Sequence, residues 1–419
     1  MDTTVIPFKG LRYNVDKVGD ITDVIAPPYD VIKSDERIAL EEKHPSNIVR
    51  LILSQPQPDD TETENQYTRA ATLLKQWITD QTLVRDPSPN YYIYDQSFHA
   101  PDGKYYTRRA LIGLGKLEPF ENKVILPHEK THAGPKIDRL NLMRACHANL
   151  SPIFLIYQDP DGDIEHIMEQ HTDGKPPEIH CKEAFGSTHQ LWRIDKPESN
   201  SKIQKLFATK QLLIADGHHR YETALTYRDE IKNSHEEDTL SGYGYMMMNL
   251  VRMESAGLAV LAIHRLLSGL TSDQINRAIA NLPEMFEVLE TASLTDLVLK
   301  LNTFKGKKPA VGMYTPDNKY RLLVPRSPVQ GELDVTLVQE TIISKMFKIE
   351  TLADHISYSA YDSDAVSHVK NGSDRVALLM NPTPVEQVLN VAMEGSVMPQ
   401  KSTYFYPKMA TGLVLNLLK

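Results

Sequence analysis

The sequence predicts an α+β protein with more than one domain. Apolar runs of strand length and amphipathic stretches of helix length both recur without alternating one for one, and no GxGxxG turn opens a doubly wound sheet. Length is the third observation, since 419 residues exceed what one core serves at roughly 100–200 residues per domain. No internal repeat recurs at the roughly 20–50-residue periods of solenoids and propellers.

The elements follow in order. Ser34 to Lys43 reads as a helix with Ser34 as N-cap, Asn47 to Leu53 as a buried strand, and Thr61 to about Asp80 as a second helix. Tyr-rich arms at Asn90 to His99 and Lys104 to Leu117 read as a hairpin turned by Ala100, Pro101, Asp102 and Gly103. From Lys123 come an apolar strand Val124 to Leu126, an irregular stretch through Gly134 and Pro135, and a helix from about Lys136 to His147 with Ile137, Leu140 and Met143 three apart. A strand at Pro152 to Tyr157 precedes turn chemistry at Asp159 to Gly162 and a polar loop at His171 to Pro177. Gln211 to Ala215 is a short buried strand leading straight into a helix from about His219 to Lys232, and Asn233 to Gly242 is a loop by composition. Apolar strands at Tyr245 to Val251 and Leu258 to Ile263 follow, Met246 to Met248 filling the core. From about Ser268, helices near Ser272 to Phe286, Asp334 to Phe347 and Pro384 to Glu394 alternate with strands, with a hairpin at Pro316, Asp317 and Asn318. The organisation expected is an N-terminal α+β part over 1–120, a central core over 121–267 and a C-terminal α+β part over 268–419.

Composition narrows the function. Lys and Arg number 46 against 55 Asp and Glu, a net charge of −9, the wrong sign for a chain whose main partner is a phosphate backbone. The two cysteines, Cys146 and Cys181, support neither a disulfide framework nor a four-cysteine zinc site. The start MDTTVIPFKGLRYN lacks a secretory pattern, and no apolar run nears the roughly 18 residues of a membrane span, so the expectation is a soluble cytoplasmic protein without nucleic-acid or membrane partners.

The strongest chemical signal is Ala215-Asp216-Gly217-His218-His219-Arg220-Tyr221, between the strand QLLI and the amphipathic run YETALTYRDEI. A strand-to-helix junction offers backbone N–H groups and the positive end of the helix dipole, and Gly217 lets a ligand approach the backbone. His218, His219 and Arg220 add donors and charge, and Arg grips phosphate with paired hydrogen bonds. The plainer alternative makes Asp216 an N-cap and the histidines surface residues.

His128-Glu129-Lys130-Thr131-His132 matches the zinc-peptidase pattern HExxH. That pattern needs a continuous helix, yet Pro127 precedes it and Gly134-Pro135 follow, while Asp138 stands where the third histidine of the extended motif belongs. A short loop with an acid, a hydroxyl, a lysine and two imidazoles suits phosphoryl transfer better, with Glu129 taking the proton of an attacking hydroxyl. An exposed polar loop is the bland alternative. Secondary candidates are Arg12 in FKGLRY, Tyr29 in APPYDV and Lys401 in PQKSTYFYPK, each equally readable as turn or packing residues. No Walker A or protein-kinase signature occurs.

Taken together, FKGLRYN, VIAPPYDVI, ILPHEKTHAGPKIDRLNLMRA, LLIADGHHRYETAL and MPQKSTYFYPK resemble a prokaryotic family, domain of unknown function 1015, across essentially the whole chain. The central part, from about Lys123 to Ile231, resembles the ParB/sulfiredoxin-like fold, whose phosphate loop leads from a strand into a helix. Without a cysteine in Asp216 to Arg220, sulfiredoxin chemistry is not implied, and without a basic helix neither is partition-type DNA binding. The free serine kinases of that fold are the functional analogue. The resemblance implies an enzyme, a Mg2+-dependent phosphotransferase making O-phosphoserine from L-serine with pyrophosphate, ADP or ATP as donor. By position it makes Glu129 the general base, Asp216 and His218 catalytic, and Gly217, His218, His219 and Arg220 phosphate-binding. His128, Lys130, Thr131, Arg12, Tyr29 and Lys401 are weaker substrate contacts, and no metal ligand is assigned. A non-catalytic regulator binding a nucleotide or phosphometabolite through the same loop is the alternative, ahead of a zinc peptidase through HEKTH.

Overall fold

The computed structural model describes residues 3–101, 103–129, 131, 133–183, 186–234, 242–328, 333–349, 352–399 and 401–418. The chain is α+β and divides into two units, the first comprising 1–127, 131–259 and 407–419, the second 128–130 and 260–406.

The first unit is built on a mixed nine-stranded sheet. Its strands are β1 (Val5–Ile6), β2 (Tyr91–His99), β3 (Tyr105–Lys116), β4 (Ile125–Leu126), β5 (Ile153–Tyr157), β6 (Ile179–Lys182), β7 (Thr188–Ile194), β8 (Leu212–Asp216) and β9 (Tyr245–Arg252). They lie in the order β4-β8-β5-β9-β3-β2-β7-β6, with β1 added to β3. Only β4–β8 and β5–β9 are parallel. The sheet thus draws strands from both sides of residue 120. The central position of β9 explains its Met-rich run, since Met246, Met247 and Met248 are all buried on a strand flanked on both edges.

The helices that matter for the site are α1 (Gln66–Thr79), α2 (Ala133–Cys146) and α3 (His218–Ser234). Helix α1 begins later than its composition predicts, because Asn65 caps it: its side chain accepts from the Tyr67 and Thr68 amides while Thr68 Oγ1 accepts the Asn65 N–H. Ser34 is the first residue of the helix Ser34–Lys43 and Lys33 occupies the cap position. Asn47 to Leu53 is not a strand. Val49–Ile52 is one helical turn whose Val49, Leu51 and Ile52 are all buried, and Asn47 holds it by donating to the Asp23 and Ile25 carbonyls and accepting the Val49 amide. The Ala100 and Gly103 turn closes the hairpin with a 2.9 Å hydrogen bond, while Asp102 lies outside the described residues.

The second unit carries an antiparallel six-stranded sheet: β10 (His264–Leu267), β11 (Phe286–Thr291), β12 (Val311–Tyr314), β13 (Tyr320–Pro325), β14 (Ile356–Ser359) and β15 (Val376–Leu379), ordered β11-β13-β12-β15-β10-β14. Helices Leu294–Asn302 and Asp362–Lys370 cover it around Leu297, Leu301, Ala365 and Val369. The helix expected at Asp334 continues from Leu337 to Met346 in wide turns, with the Phe347 amide on the Ile342 carbonyl. Among the described residues no helix is long and apolar enough to cross a membrane.

Candidate phosphate-binding site

Strand β8 ends in a bulge. Ile214 pairs with Leu155 and Asp216 with Phe154, leaving Ala215 as the extra residue that re-aims the strand end. Gly217 then turns the chain at φ 97°. A Cβ at that position would lie 2.7 Å from Ile153 Cγ2 and 3.0 Å from Arg220 Nη2, so only glycine fits. The 17-residue helix α3 opens at His218, the Tyr221 amide bonding to the Gly217 carbonyl at 3.0 Å. The motif DGHHR therefore lies where its sequence placed it, at the positive end of a helix dipole.

Two cations hold Asp216. Arg220 Nη2 donates to Asp216 Oδ2 at 2.7 Å, and Lys408 Nζ is paired with Oδ1. Arg220 is buried, and its Nη1 also donates to Ser151 Oγ at 3.3 Å and to the Pro152 carbonyl. His218 is buried and His219 half-buried. Tyr29 joins this cluster: the Arg139 guanidinium lies 4.0 Å from its ring centroid, and burial raises its phenol against the opposing charges of Arg220 and Arg139. Thr131 Oγ1 and Lys136 Nζ both donate to Glu222 Oε2, at 2.7 and 2.8 Å, fixing the end of the HEKTH loop to the first turns of α3.

Lys408 reaches Asp216 because the segment around it is clamped. Arg108 Nη2 donates to the Pro407 carbonyl at 2.5 Å, Gln96 Nε2 to the Lys408 carbonyl at 3.0 Å, and the Ala410 amide to Tyr94 Oη at 3.4 Å. Sequence reasoning assigned no role to Arg139 or Glu222. Lys408 had a signal in the clustered cations and aromatics of KSTYFYPK, whereas Arg139 and Glu222 read as ordinary exposed positions of amphipathic helices.

In the second unit, His128 is fully buried, its Nε2 3.0 Å from Thr403 Oγ1 and its ring edge-on to Phe405. Glu129 pairs in a parallel bridge with Met398, and its carboxylate accepts the Ser402 amide at 3.2 Å. Buried Arg265 feels the charge of Glu129, while its own value is lowered to about 10 by burial. Helix α2 begins only at Ala133, so His128, Glu129 and Thr131 are not helical and the zincin geometry does not form. Lys130 and His132 lie outside the described residues. Among the described residues, no group of three or more His, Cys, Asp and Glu side chains is placed to hold a metal ion. Both oxygens of Asp216 face cations.

Arg12 is drawn elsewhere. It pairs with Asp86 at 2.8 Å and Glu178 at 3.1 Å, in a cluster completed by Arg193 and by Tyr92, whose hydroxyl donates to Asp86. Lys401 is exposed in a turn at φ 57°.

The site is a positive-φ glycine at a strand-to-helix turn of an α+β fold, with His218 and Arg220 buried at the start of α3 and Lys408 paired with Asp216. The chain belongs to the family described as "Protein of unknown function (DUF1015)", whose model matches residues 5–336. No curated protein matches it. Among solved structures, it is similar to a free serine kinase variant in complex with ADP, at 14% identity, covering 73% of this chain and 92% of that one with a TM-score of 0.37. It is similar to free serine kinase in complex with AMP, at 14% identity, with the same coverages and a TM-score of 0.35. A conserved hypothetical protein from Pyrococcus furiosus is similar at 15% identity, with 73% and 95% covered and a TM-score of 0.35.

Proposed function

We propose that the chain is a phosphotransferase that moves a phosphoryl group from pyrophosphate, ADP or ATP to the hydroxyl of a small amino acid, L-serine first among them. The observation that carries this reading is the Asp216 to Arg220 turn, a Gly217-bent junction at a helix start with an arginine and a histidine buried beside it. The ParB/sulfiredoxin-like core belongs to the same proposal.

In the reaction, the serine hydroxyl oxygen attacks the transferred phosphorus, the bond from phosphorus to the leaving phosphate oxygen breaks, and Glu129 takes the hydroxyl proton. His218, His219, Arg220 and the backbone N–H groups after Gly217 hold the transferred or leaving phosphate. Donors of this kind are worth about 3 kcal/mol each in the transition state. Asp216, neutralised by Arg220 and Lys408, locks the turn and leaves the proton to Glu129. Magnesium, when bound, would enter with the donor and offset the charge of its phosphates.

Incubation with L-serine, Mg2+ and each donor in parallel should give phosphoserine with at least one of them, and Glu129→Gln should abolish it. A second reading, a regulator that binds a phosphometabolite without turnover, is favoured by the ion pairing of the loop's only carboxylate. It predicts pyrophosphate or nucleotide binding and no phosphoserine with any donor.

A further inference from the structure

Beside the turn, Arg220 and Arg139 line a small cleft together with Asn149 and Ser151, closed on its apolar side by Leu142 and Met246. Asn149 is 2% exposed. Its Oδ1 accepts the Met247 amide and Asn416 Nδ2, both at 3.1 Å, which fixes the amide orientation because only oxygen accepts from a backbone N–H. The Nδ2 atom is left buried without a hydrogen-bond partner. A buried, unsatisfied donor is costly and uncommon, so one bordering a cleft that also holds two guanidinium groups marks a place where an acceptor belongs. Arg139 pairs with Asp138 and Arg220 with Asp216, yet no carboxylate lines the cleft itself, where every polar side chain just named can donate.

We propose that this cleft is the subsite for the carboxylate of the amino-acid substrate, with Asn149 Nδ2 and the guanidinium groups of Arg139 and Arg220 as its donors. The proposal rests on the phosphotransferase reading, in which phosphate occupies the Gly217 turn and the acceptor brings a second anionic group. Arg220 bridges the two places, since its Nη2 meets Asp216 while its Nη1 meets Ser151. The leucine and methionine of the cleft leave room only for a short aliphatic body, which suits a small amino acid.

The test is equilibrium titration of the full chain with pyrophosphate, L-serine and L-serinamide. Serinamide keeps the hydroxyl and amine but has no carboxylate. It should bind roughly ten- to a hundredfold more weakly than serine, the range for losing a charge-assisted hydrogen bond. Asn149→Asp keeps the oxygen that Met247 and Asn416 require and places a negative oxygen where the donor stood. It should lose serine by a similar factor while binding pyrophosphate as before. Equal binding of serine and serinamide, or no serine binding beside normal pyrophosphate binding, overturns the subsite and leaves the phosphate turn standing. Serine preferred over serinamide with no pyrophosphate binding upholds the subsite and overturns pyrophosphate as the donor, and binding of none of the three overturns both. The serinamide comparison uses the unaltered chain and needs no variant to fold.

Discussion

Gly217→Ala separates the two reasons why glycine stands at the turn. At φ 97° a non-glycine residue costs about 1–2 kcal/mol in backbone strain. The added Cβ also meets Ile153 Cγ2 at 2.7 Å and Arg220 Nη2 at 3.0 Å. Overpacking of that kind costs about 1–3 kcal/mol, so the sum is about 2–5 kcal/mol. Gly19 provides the control: it sits at φ 70°, and a Cβ added there would meet nothing within 4 Å, so Gly19→Ala should cost only the backbone share. Both tryptophans, Trp77 and Trp192, are buried in the first unit, so urea unfolding followed by their fluorescence reads this unit. The Gly217 variant should lose about 1–3 kcal/mol more than the Gly19 variant at unchanged m, and should bind pyrophosphate at least about tenfold more weakly as Arg220 is displaced. Equal stability of the two variants with pyrophosphate affinity retained would refute the close-packed turn.

Lys408→Met removes one of the two cations on Asp216. Because the pair is mostly shielded but Arg220 remains, tryptophan-monitored stability should fall by about 1–2 kcal/mol, and no change would show the contact to be incidental. Glu129→Gln should leave that same transition unmoved, its side chain lying in the second unit, while phosphoserine formation disappears. Asp334 is pushed up to about 6 by burial, its Oδ1 accepting the Ala310 amide at 3.0 Å. A carboxyl raised above its unfolded value of 3.8 favours the protonated fold, so its contribution is complete below pH 4 and is lost as pH rises through 6. Calorimetry between pH 4 and 7 should show a decline of at most about 3 kcal/mol that Asp334→Asn flattens. Burial raises the Cys146 and Cys181 thiols to about 12, so neither should react with a disulfide reagent before unfolding.

Much of this was legible locally. QLLIA beside DGHHR reads as a buried strand running into a polar helix start, whereas Gly134 and Pro135, expected in an irregular stretch, lie in the first turn of α2, where a proline lacks no hydrogen bond that a helix start would make. What failed has physical causes. NIVRLIL is apolar apart from Asn47 and Arg50 because Val49, Leu51 and Ile52 of its single helical turn are buried, and such a short run carries no period to tell strand from helix. Helices Asp163–Thr172 and Pro197–Phe207 were not anticipated, being polar enough to pass for loop despite the helix-starting Pro197. Lys408 stands 192 positions from Asp216 and Asn149 stands 267 from Asn416, so tertiary structure alone pairs them.

The most direct measurement is a crystal structure of the protein soaked in pyrophosphate. Density for the anion on the backbone N–H groups following Gly217, within reach of Arg220, is the predicted result. Pyrophosphate that leaves the turn bare, or settles only at another site, would contradict it.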